Sequence, residues 1–273
     1  MAKGCARWQR HSEASDPPSR KGAKTIRKHN KTTMTQIRLP EAQGLYDPAN
    51  EHDACGVGFV ANIKGEKTND IVRRGLQVNI NMTHRGAEGA DNKSGDGAGI
   101  LIQMPHDFFK SVMPELPDAG KYASGLIFLP KNEDAAKKCI DTLTHFIASE
   151  GLDLIGYRDV PVDSSCVGEI ALRNEPMIKQ VFIRNHNEEV DKFERKLYMV
   201  RKQAEIRVRQ SNIIDKESYY VVSLSSRTFI YKGMLTPKQL GEYFLDLKDP
   251  RVKSAIAVVH SRFSTNTFPT WDL

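Results

Sequence analysis

The feature that most constrains this chain is residues 53–61, where a cysteine stands directly before an apolar segment rich in glycine. Gly56 and Gly58 follow Cys55, and the apolar run reaches Ile63, which predicts a strand that other groups can approach closely. A thiol at the head of a strand is a candidate nucleophile. Cleavage just before it would add an α-amino group with a pKa of about 7.7–8.0, able to act as its general base. The competing interpretation is a small buried cysteine, which is commoner for a free thiol.

The net charge of +6 is concentrated at the N-terminus. Residues 1–33 hold nine Lys or Arg against two Asp or Glu, a net of +7, which leaves −1 for residues 34–273. We therefore expect no nucleic-acid-binding face in the body of the chain. No apolar run approaches the roughly 20 residues that cross a bilayer, so we expect no membrane association either.

The four cysteines are far apart and include no C-x-x-C pair. This spacing argues against a zinc site and against a disulfide framework, so no metal site is expected. It favours a reducing compartment, and we predict a cytoplasmic protein. The cysteines are Cys5, Cys55, Cys139 and Cys166.

Residues 1–33 are polar and basic, which predicts a disordered extension. Their arginine-rich, acid-poor composition also fits a plastid transit peptide, although no clear amphipathic helix supports that interpretation. We favour a third interpretation, in which these residues are a mis-assigned start and translation begins at Met34. Residues 34–54 would then be a leader that ends at Ala54 and is removed before Cys55.

Hydrophobic periodicity predicts strands and helices along the rest of the chain. Strand-like segments lie at 56–63, 100–104, 125–129, 154–157, 177–183, 219–224, 228–231 and 255–260. Helical patterns lie at 68–83, 132–150, 190–210 and 236–247. Between the first helix and the second strand is a glycine-rich loop, residues 86–99, whose alternating glycines match neither a dinucleotide fingerprint nor a phosphate loop. Its competing interpretation is a tight connection without a chemical role.

A second group of polar residues, 261–267, follows the last predicted strand, where side chains are well placed to hold a substrate. Arg262 can bind a carboxylate through two parallel hydrogen bonds, and Thr265 can add a hydroxyl donor. For a single arginine, a surface ion pair is the competing interpretation.

Taken together, these segments resemble the N-terminal, class-II glutamine amidotransferase domain of the glutamate synthase large subunit. The resemblance covers about residues 40–273, and its segments occur in the family's order. They are Gly-Leu-Tyr-Asp-Pro at 44–48 with His-Asp-Ala-Cys-Gly-Val-Gly-Phe at 52–59; Met-Thr-His-Arg-Gly-Ala at 82–87 with Gly-Asp-Gly-Ala-Gly at 95–99; Phe-Glu-Arg-Lys-Leu-Tyr at 193–198; and Tyr-Lys-Gly-Met-Leu at 231–235 with His-Ser-Arg-Phe-Ser-Thr-Asn-Thr-Phe-Pro at 260–269.

The resemblance implies an α+β fold of the N-terminal-nucleophile hydrolase type, a four-layer αββα sandwich with mainly antiparallel sheets. It implies that Cys55 is the catalytic nucleophile that attacks the side-chain amide of L-glutamine. In the same way, Arg262 would hold the α-carboxylate of glutamine, with Phe263 and Thr265 shaping the pocket. Residues implied to lie near the nucleophile without an assigned role are Arg85, Gly86, Asp96 and Gly97.

The resemblance also implies what lies beyond residue 273. The family's Asn-Gly oxyanion pair and the acidic residue for the α-amino group of glutamine come later, so we expect 55–273 to be a partial domain with an incomplete sandwich. Since each oxyanion donor contributes on the order of 10²–10³ in kcat, we expect little glutaminase activity from this chain alone. FMN and an iron–sulfur cluster are implied for downstream synthase domains and none for this chain, with a small reductase subunit as a further partner.

Two other functions remain open. A different class-II amidotransferase, making glucosamine phosphate, phosphoribosylamine or asparagine, would share the fold, but the run 265–269 and the 21-residue leader favour glutamate synthase. A non-catalytic remnant or interaction module would keep the fold without turnover and would retain its leader.

Overall fold

The computed structural model describes residues 43–44, 56–86, 88–89, 91, 93–262 and 269–271. The chain divides into two units, Met1–His52 and Asp53–Leu273, and every element below belongs to the second. The predicted extension over residues 1–33 and, apart from Gln43 and Gly44, the predicted leader over 34–54 lie outside the described residues.

Strands and α-helices alternate along the described part of the second unit, except that β7 follows β6 without a helix between them. The strands are β1 (Val57–Ala61), β2 (Ala98–Gln103), β3 (Tyr122–Leu129), β4 (Asp153–Asp159), β5 (Met177–Arg184), β6 (Tyr220–Val221), β7 (Thr228–Gly233) and β8 (Ile256–His260). The α-helices are α1 (Asn69–Asn81), α2 (His106–Val112), α3 (Glu133–Ser149), α4 (Glu169–Arg173), α5 (Val190–Arg209) and α6 (Pro237–Tyr243). No helix among these is long and apolar enough to cross a membrane.

The described strands form two four-stranded sheets, ordered β1-β8-β2-β7 and β4-β5-β3-β6. Every pair is antiparallel, so the predicted α+β class with antiparallel sheets is confirmed. In the first sheet, His260 at the end of β8 lies opposite Val57 on one side and Gly99 on the other. This register brings the start of β1, the start of β2 and the end of β8 to one end of the sheet.

Helix α1 packs on the first sheet through a face that includes Gly75. A Cβ atom on Gly75 would lie 2.6 Å from the Cβ of Ala257, so only glycine lets the helix approach β8 this closely. Thr68 caps the helix by accepting a hydrogen bond from the backbone N–H of Ile71, as its position before the helix predicts. The glycine that weakens the helical pattern in the sequence is therefore what seats the helix on the sheet.

Helices α3 and α5 pack against each other and share a second apolar cluster with β3 and β5. In α5, Phe193, Leu197 and Val200 are fully buried, which confirms the predicted apolar face of that helix. Glu189 accepts hydrogen bonds from the N–H groups of Asp191 and Lys192 and so begins the helix. The opposite, charged face of α5 is exposed to solvent.

The structure differs from the predicted elements in three places. Helices α2 and α4, of seven and five residues, are absent from the prediction because such short pieces carry little periodicity. The predicted helix over 236–247 ends at Tyr243 and is followed by a 3₁₀ helix, Leu245–Lys248. The predicted strand over 219–224 is reduced to the two residues of β6, which pairs with β3, whereas β7 pairs with β2.

Candidate functional site

The candidate site lies where β1 begins and β8 ends. The backbone N–H of Ser261 donates a 2.8 Å hydrogen bond to the carbonyl oxygen of Gly56, which extends the β1–β8 ladder by one step. The neighbours of Cys55 and of Arg262 in the sequence are thus joined directly. Cys55 itself lies outside the described residues.

Two glycines make room for Ser261. A Cβ on Gly56 would lie 2.2 Å from the Oγ of Ser261, and a Cβ on Gly86 would lie 3.1 Å from its carbonyl oxygen. The 3₁₀ helix Thr83–Arg85, which follows α1, brings Gly86 to this place. The side chain of Arg85 is exposed, and its Cβ would lie 3.4 Å from a Cβ on Gly56. The structure therefore brings the predicted pair Arg85 and Gly86 beside the start of β1.

Asp96 and Arg262 form an ion pair. The Nε of Arg262 is buried and lies 3.4 Å from the Oδ2 of Asp96, close enough for a salt bridge but outside hydrogen-bond geometry. Both side chains are mostly buried, with 28% of Arg262 and 18% of Asp96 exposed. Burial reduces the screening of the attraction between the two charges by solvent and salt. Two residues that the sequence singles out separately are in contact.

The glycine-rich loop is fixed to α4 by two side chains, Asp91 and Ser94. Asp91 accepts hydrogen bonds from the N–H of Ser94 at 2.7 Å, from the Oγ–H of Ser94 at 2.6 Å and from the N–H of Ile170 at 3.2 Å. The Oγ of Ser94 accepts a 3.1 Å bond from the N–H of Ala171. These bonds hold the pKa of Asp91 well below its usual range, chiefly through the Ser94 hydroxyl. The loop is therefore tied to the rest of the unit rather than being a free connection.

The positions on either side of Asp96 each require a residue without a side chain. A Cβ on Gly95 would lie 2.3 Å from the carbonyl carbon of Leu235, so this part of the loop packs directly on backbone. Gly97 has φ of 128°, a conformation that residues with a side chain rarely adopt. A larger residue at either position would displace Asp96 from Arg262.

His260, the last residue of β8, is a partly buried titratable group beside this site. Burial, together with the nearby charge of Lys232, lowers its pKa to about 4. The imidazole is therefore neutral at pH 7. A Cβ on Gly99 would lie 2.5 Å from its Cε1, so the glycine at the start of β2 leaves space for the ring. His260 is not among the predicted site residues, although it immediately precedes the predicted group 261–267.

Of the predicted site residues, five are described and cluster at this end of the sheet: Arg85, Gly86, Asp96, Gly97 and Arg262. The other three, Cys55, Phe263 and Thr265, lie outside the described residues. Ser261 has no individual role predicted from the sequence, because its contacts are with Gly56 and Gly86, which are distant in the sequence. The roles of all eight predicted residues remain predictions.

The residues that the structure describes do not form a site for an iron–sulfur cluster or another metal. Within this part of the chain, no three His, Cys, Asp or Glu side chains converge as metal ligands would. Burial raises the pKa of the Cys139 thiol to about 11, unlike a thiolate ligand. A separate groove of about 430 Å³ lies beside the loop and contains none of the predicted site residues; its lining includes Glu88, Lys93, Cys166, Lys238 and Gln239.

Several known proteins are similar to this chain. The glutamate synthase (NADPH) large chain of Bacillus subtilis (strain 168) is 44% identical over 243 residues, which are 88% of this chain and 16% of that protein. The glutamate synthase (NADH) of Saccharomyces cerevisiae is 45% identical over 249 residues, which cover 86% of this chain and 11% of that protein. The chloroplastic ferredoxin-dependent glutamate synthase of Oryza sativa subsp. japonica is 40% identical over 239 residues, which cover 85% of this chain and 15% of that protein.

The chain spans only 11–16% of the length of these three relatives. The family match itself is broad: residues 55–273 match the class-II glutamine amidotransferases, and the matched region begins at Cys55. The resemblance that the sequence motifs indicate is therefore confirmed, and this chain belongs to the class-II glutamine amidotransferases.

Proposed function

We propose that this chain is the glutamine-hydrolysing part of a glutamate synthase and that Cys55 is its nucleophile. The observation that carries the proposal is the hydrogen bond from Ser261 N–H to the Gly56 carbonyl oxygen, since it joins the neighbour of Cys55 to the neighbour of Arg262. A thiol next to Gly56 in the sequence and a guanidinium next to Ser261 fit a substrate with a reactive amide and a carboxylate. L-Glutamine has both.

In the proposed reaction, removal of residues before Cys55 frees its α-amino group, which takes the thiol proton. The sulfur then attacks the side-chain amide carbon of glutamine, and a carbon–sulfur bond forms. The amide nitrogen leaves as ammonia, taking the proton from the α-amino group, so a γ-glutamyl thioester remains. Water adds to the thioester, the carbon–sulfur bond breaks, and glutamate leaves while the thiol regains a proton.

The binding part of the proposal assigns the α-carboxylate of glutamine to Arg262. A guanidinium binds a carboxylate through two parallel N–H···O bonds, which fix the orientation of the substrate as well as its affinity. We assign Phe263 and Thr265 to the wall of the same pocket. Arg85, Gly86, Asp96 and Gly97 would lie near the nucleophile. The closeness of Arg85 to Gly56 and of Gly86 to Ser261, together with the ion pair of Asp96 and Arg262, supports this assignment.

The remaining assignments concern the longer protein. The two antiparallel sheets and the helices on them are compatible with a four-layer αββα sandwich. Ammonia from the amidotransferase would combine with 2-oxoglutarate to make glutamate in downstream domains, which would bind FMN and an iron–sulfur cluster. A small reductase subunit would be a further partner. The cytoplasm, or a plastid if residues 1–33 are a transit peptide, stays the predicted compartment.

The proposal is tested by labelling the full chain with a diazoketone analogue of L-glutamine and measuring its intact mass. We expect a mature N-terminus at Cys55 and one adduct on that residue, which Cys55→Ala abolishes. Cys166→Ala, at a partly exposed cysteine, is the matched control and should label as the parent chain does.

Retention of Met1 or Met34 without any adduct would instead support a non-catalytic module. A different class-II amidotransferase would label at Cys55 in the same way. The two enzymes are distinguished by the acceptor of the ammonia: the full-length protein should form a second glutamate from 2-oxoglutarate, and an amino sugar phosphate product would contradict our assignment.

A further inference from the structure

We infer that Asp96 is a positioning residue, which holds the Arg262 guanidinium by its Nε edge and turns the opposite edge towards the substrate. The inference rests on the proposed function, because the substrate group that it concerns is the α-carboxylate of glutamine. It gives a role to the glycine-rich loop, which the chemistry at Cys55 does not itself require.

Asp96 contacts one particular edge of the Arg262 guanidinium, the one that carries Nε. An arginine has five N–H donors in one plane, one on Nε and two on each Nη. The closest contact, at 3.4 Å, joins Nε to the Oδ2 of Asp96. The edge formed by the two Nη atoms is then the one suited to take a second carboxylate as a fork. Asp96 thus restricts rotation of the guanidinium without needing that edge.

Asp96 is itself held in place by the loop around it. Asp91 and Ser94 tie the preceding part of the loop to the N-terminal residues of α4. Gly95 packs against the backbone of Leu235, and Gly97 turns the chain with a φ of 128°. A carboxylate on a loop that is held in place can fix the position of a flexible arginine. A carboxylate on a mobile loop would instead move together with the arginine.

An alternative role for Asp96 is that of a competitor, which occupies the substrate-binding edge of Arg262 until glutamine displaces it. A competitor would be expected to pair with the Nη edge as a fork, as a substrate carboxylate does. The contact at Nε argues against this role. The two roles predict opposite effects of removing the charge of Asp96, so one variant separates them.

The first experiment measures how fast Cys55 in the full, processed chain is alkylated by two reagents. The diazoketone analogue of L-glutamine carries an α-carboxylate, and iodoacetamide does not. With Asp96→Asn, we expect the half-saturating concentration of the analogue to rise about five- to tenfold, with the maximal rate and the iodoacetamide rate unchanged. Asp118→Asn, at an exposed carboxylate in the turn after α2, is the matched control and should change neither rate.

The coupling between the two residues is tested with Arg262→Lys, which removes the fork. In that background, Asp96→Asn should add less than about a twofold further effect, because the two changes disrupt one arrangement. Asp96→Glu, which keeps the charge, should recover part of the loss. Tighter labelling by the analogue with Asp96→Asn would establish the competitor role and overturn our inference, as would equal losses with both reagents.

A second experiment requires no glutamine binding, so it separates failure of this inference from failure of the proposed function. The Nε–H signal of Arg262 is followed by ¹⁵N NMR in the parent chain and in Asp96→Asn, with Arg262→Lys used to assign it. We expect its exchange with solvent to be at least about threefold faster without the carboxylate. An unchanged rate would overturn the inference even if Cys55 labels as proposed. A faster rate in a chain that does not label would refute the function alone.

Discussion

At the scale of single residues, the site combines a charged pair with a histidine that stays neutral. Arg262 and Asp96 balance each other's charge in a place that is mostly shielded from water. His260, two residues before Arg262, lies on a buried strand near Lys232, and a second cation there would be unfavourable. The neutral histidine therefore leaves Arg262 as the anion-binding group that our proposal requires.

The low pKa of His260 predicts a specific dependence of stability on pH. Its folded-state value of about 4 lies below the ordinary value of 6.5, so the unfolded chain binds the proton more tightly. The contribution of His260 to stability is complete above pH 6.5 and is lost as the pH falls towards 4. We expect the free energy of unfolding to fall between pH 7 and pH 4.5 by about 2 kcal/mol more in the parent chain than in His260→Gln.

This difference is measured by urea unfolding of both proteins at a series of pH values. Subtracting the two curves removes the titration of the carboxylates that both proteins share. Parallel curves across the whole range would show that the imidazole is not held in its neutral form. His186, an exposed histidine paired with Asp153, provides a control, since His186→Gln should not reproduce the effect.

At the scale of elements, a glycine on β3 makes room for the chain that leaves β6. A Cβ on Gly125 would lie 1.6 Å from the carbonyl oxygen of Ser223, because the segment after β6 crosses directly over this residue. The next turn is held by Glu194 of α5, which accepts hydrogen bonds from the N–H and the hydroxyl of Ser226. This crossing lets the chain leave one sheet at β6 and enter the other at β7.

We therefore expect Gly125→Ala to lower the free energy of unfolding by about 2–3 kcal/mol, since backbone must move to admit the methyl group. The matched control is Gly156→Ala on β4 of the same sheet, where the nearest atom would be Met113 Cε at an ordinary distance of 3.6 Å. That change should alter stability by less than about 0.5 kcal/mol. Equilibrium urea unfolding compares the two, and equal effects would contradict the close crossing.

At the scale of the whole molecule, local patterns predict the elements better than the contacts between them. The periodicity of α5 and the run after Cys55 depend on neighbouring residues, so the sequence is sufficient to predict a helix and a strand there. The pairing of Asp96 with Arg262 requires β2 and β8 to lie side by side, which local patterns do not predict. The sequence marks both residues as candidates, and only the fold brings them together.

Tertiary packing also explains two places where local patterns are a poor guide, at α1 and at the strands β6 and β7. Gly75 lowers the helical propensity of α1, yet the helix forms because its packing on β8 outweighs that local cost. The segments 219–224 and 228–231 have good strand propensity, but the crossing at Gly125 assigns them to different sheets. In both cases tertiary packing, which a single sequence does not display, decides the outcome.

The arrangement of the first sheet leaves an apolar strand exposed. Among the described strands, β1 is at the edge of its sheet, and its residues Val57 and Phe59 are 56% and 71% exposed. An edge strand with exposed apolar side chains and no charge can pair with another chain. We therefore expect the purified chain to self-associate as its concentration rises, with a mass above that of the monomer in sedimentation velocity.

Phe59→Lys places a charge on this edge and should weaken the association by at least about tenfold in dissociation constant. Ile214→Lys is the matched control, since Ile214 is 68% exposed but lies in the connection after α5 rather than in a strand. The control should sediment like the parent chain. If the parent chain stays monomeric at all concentrations, or if both variants change its mass equally, β1 is not the surface through which copies associate.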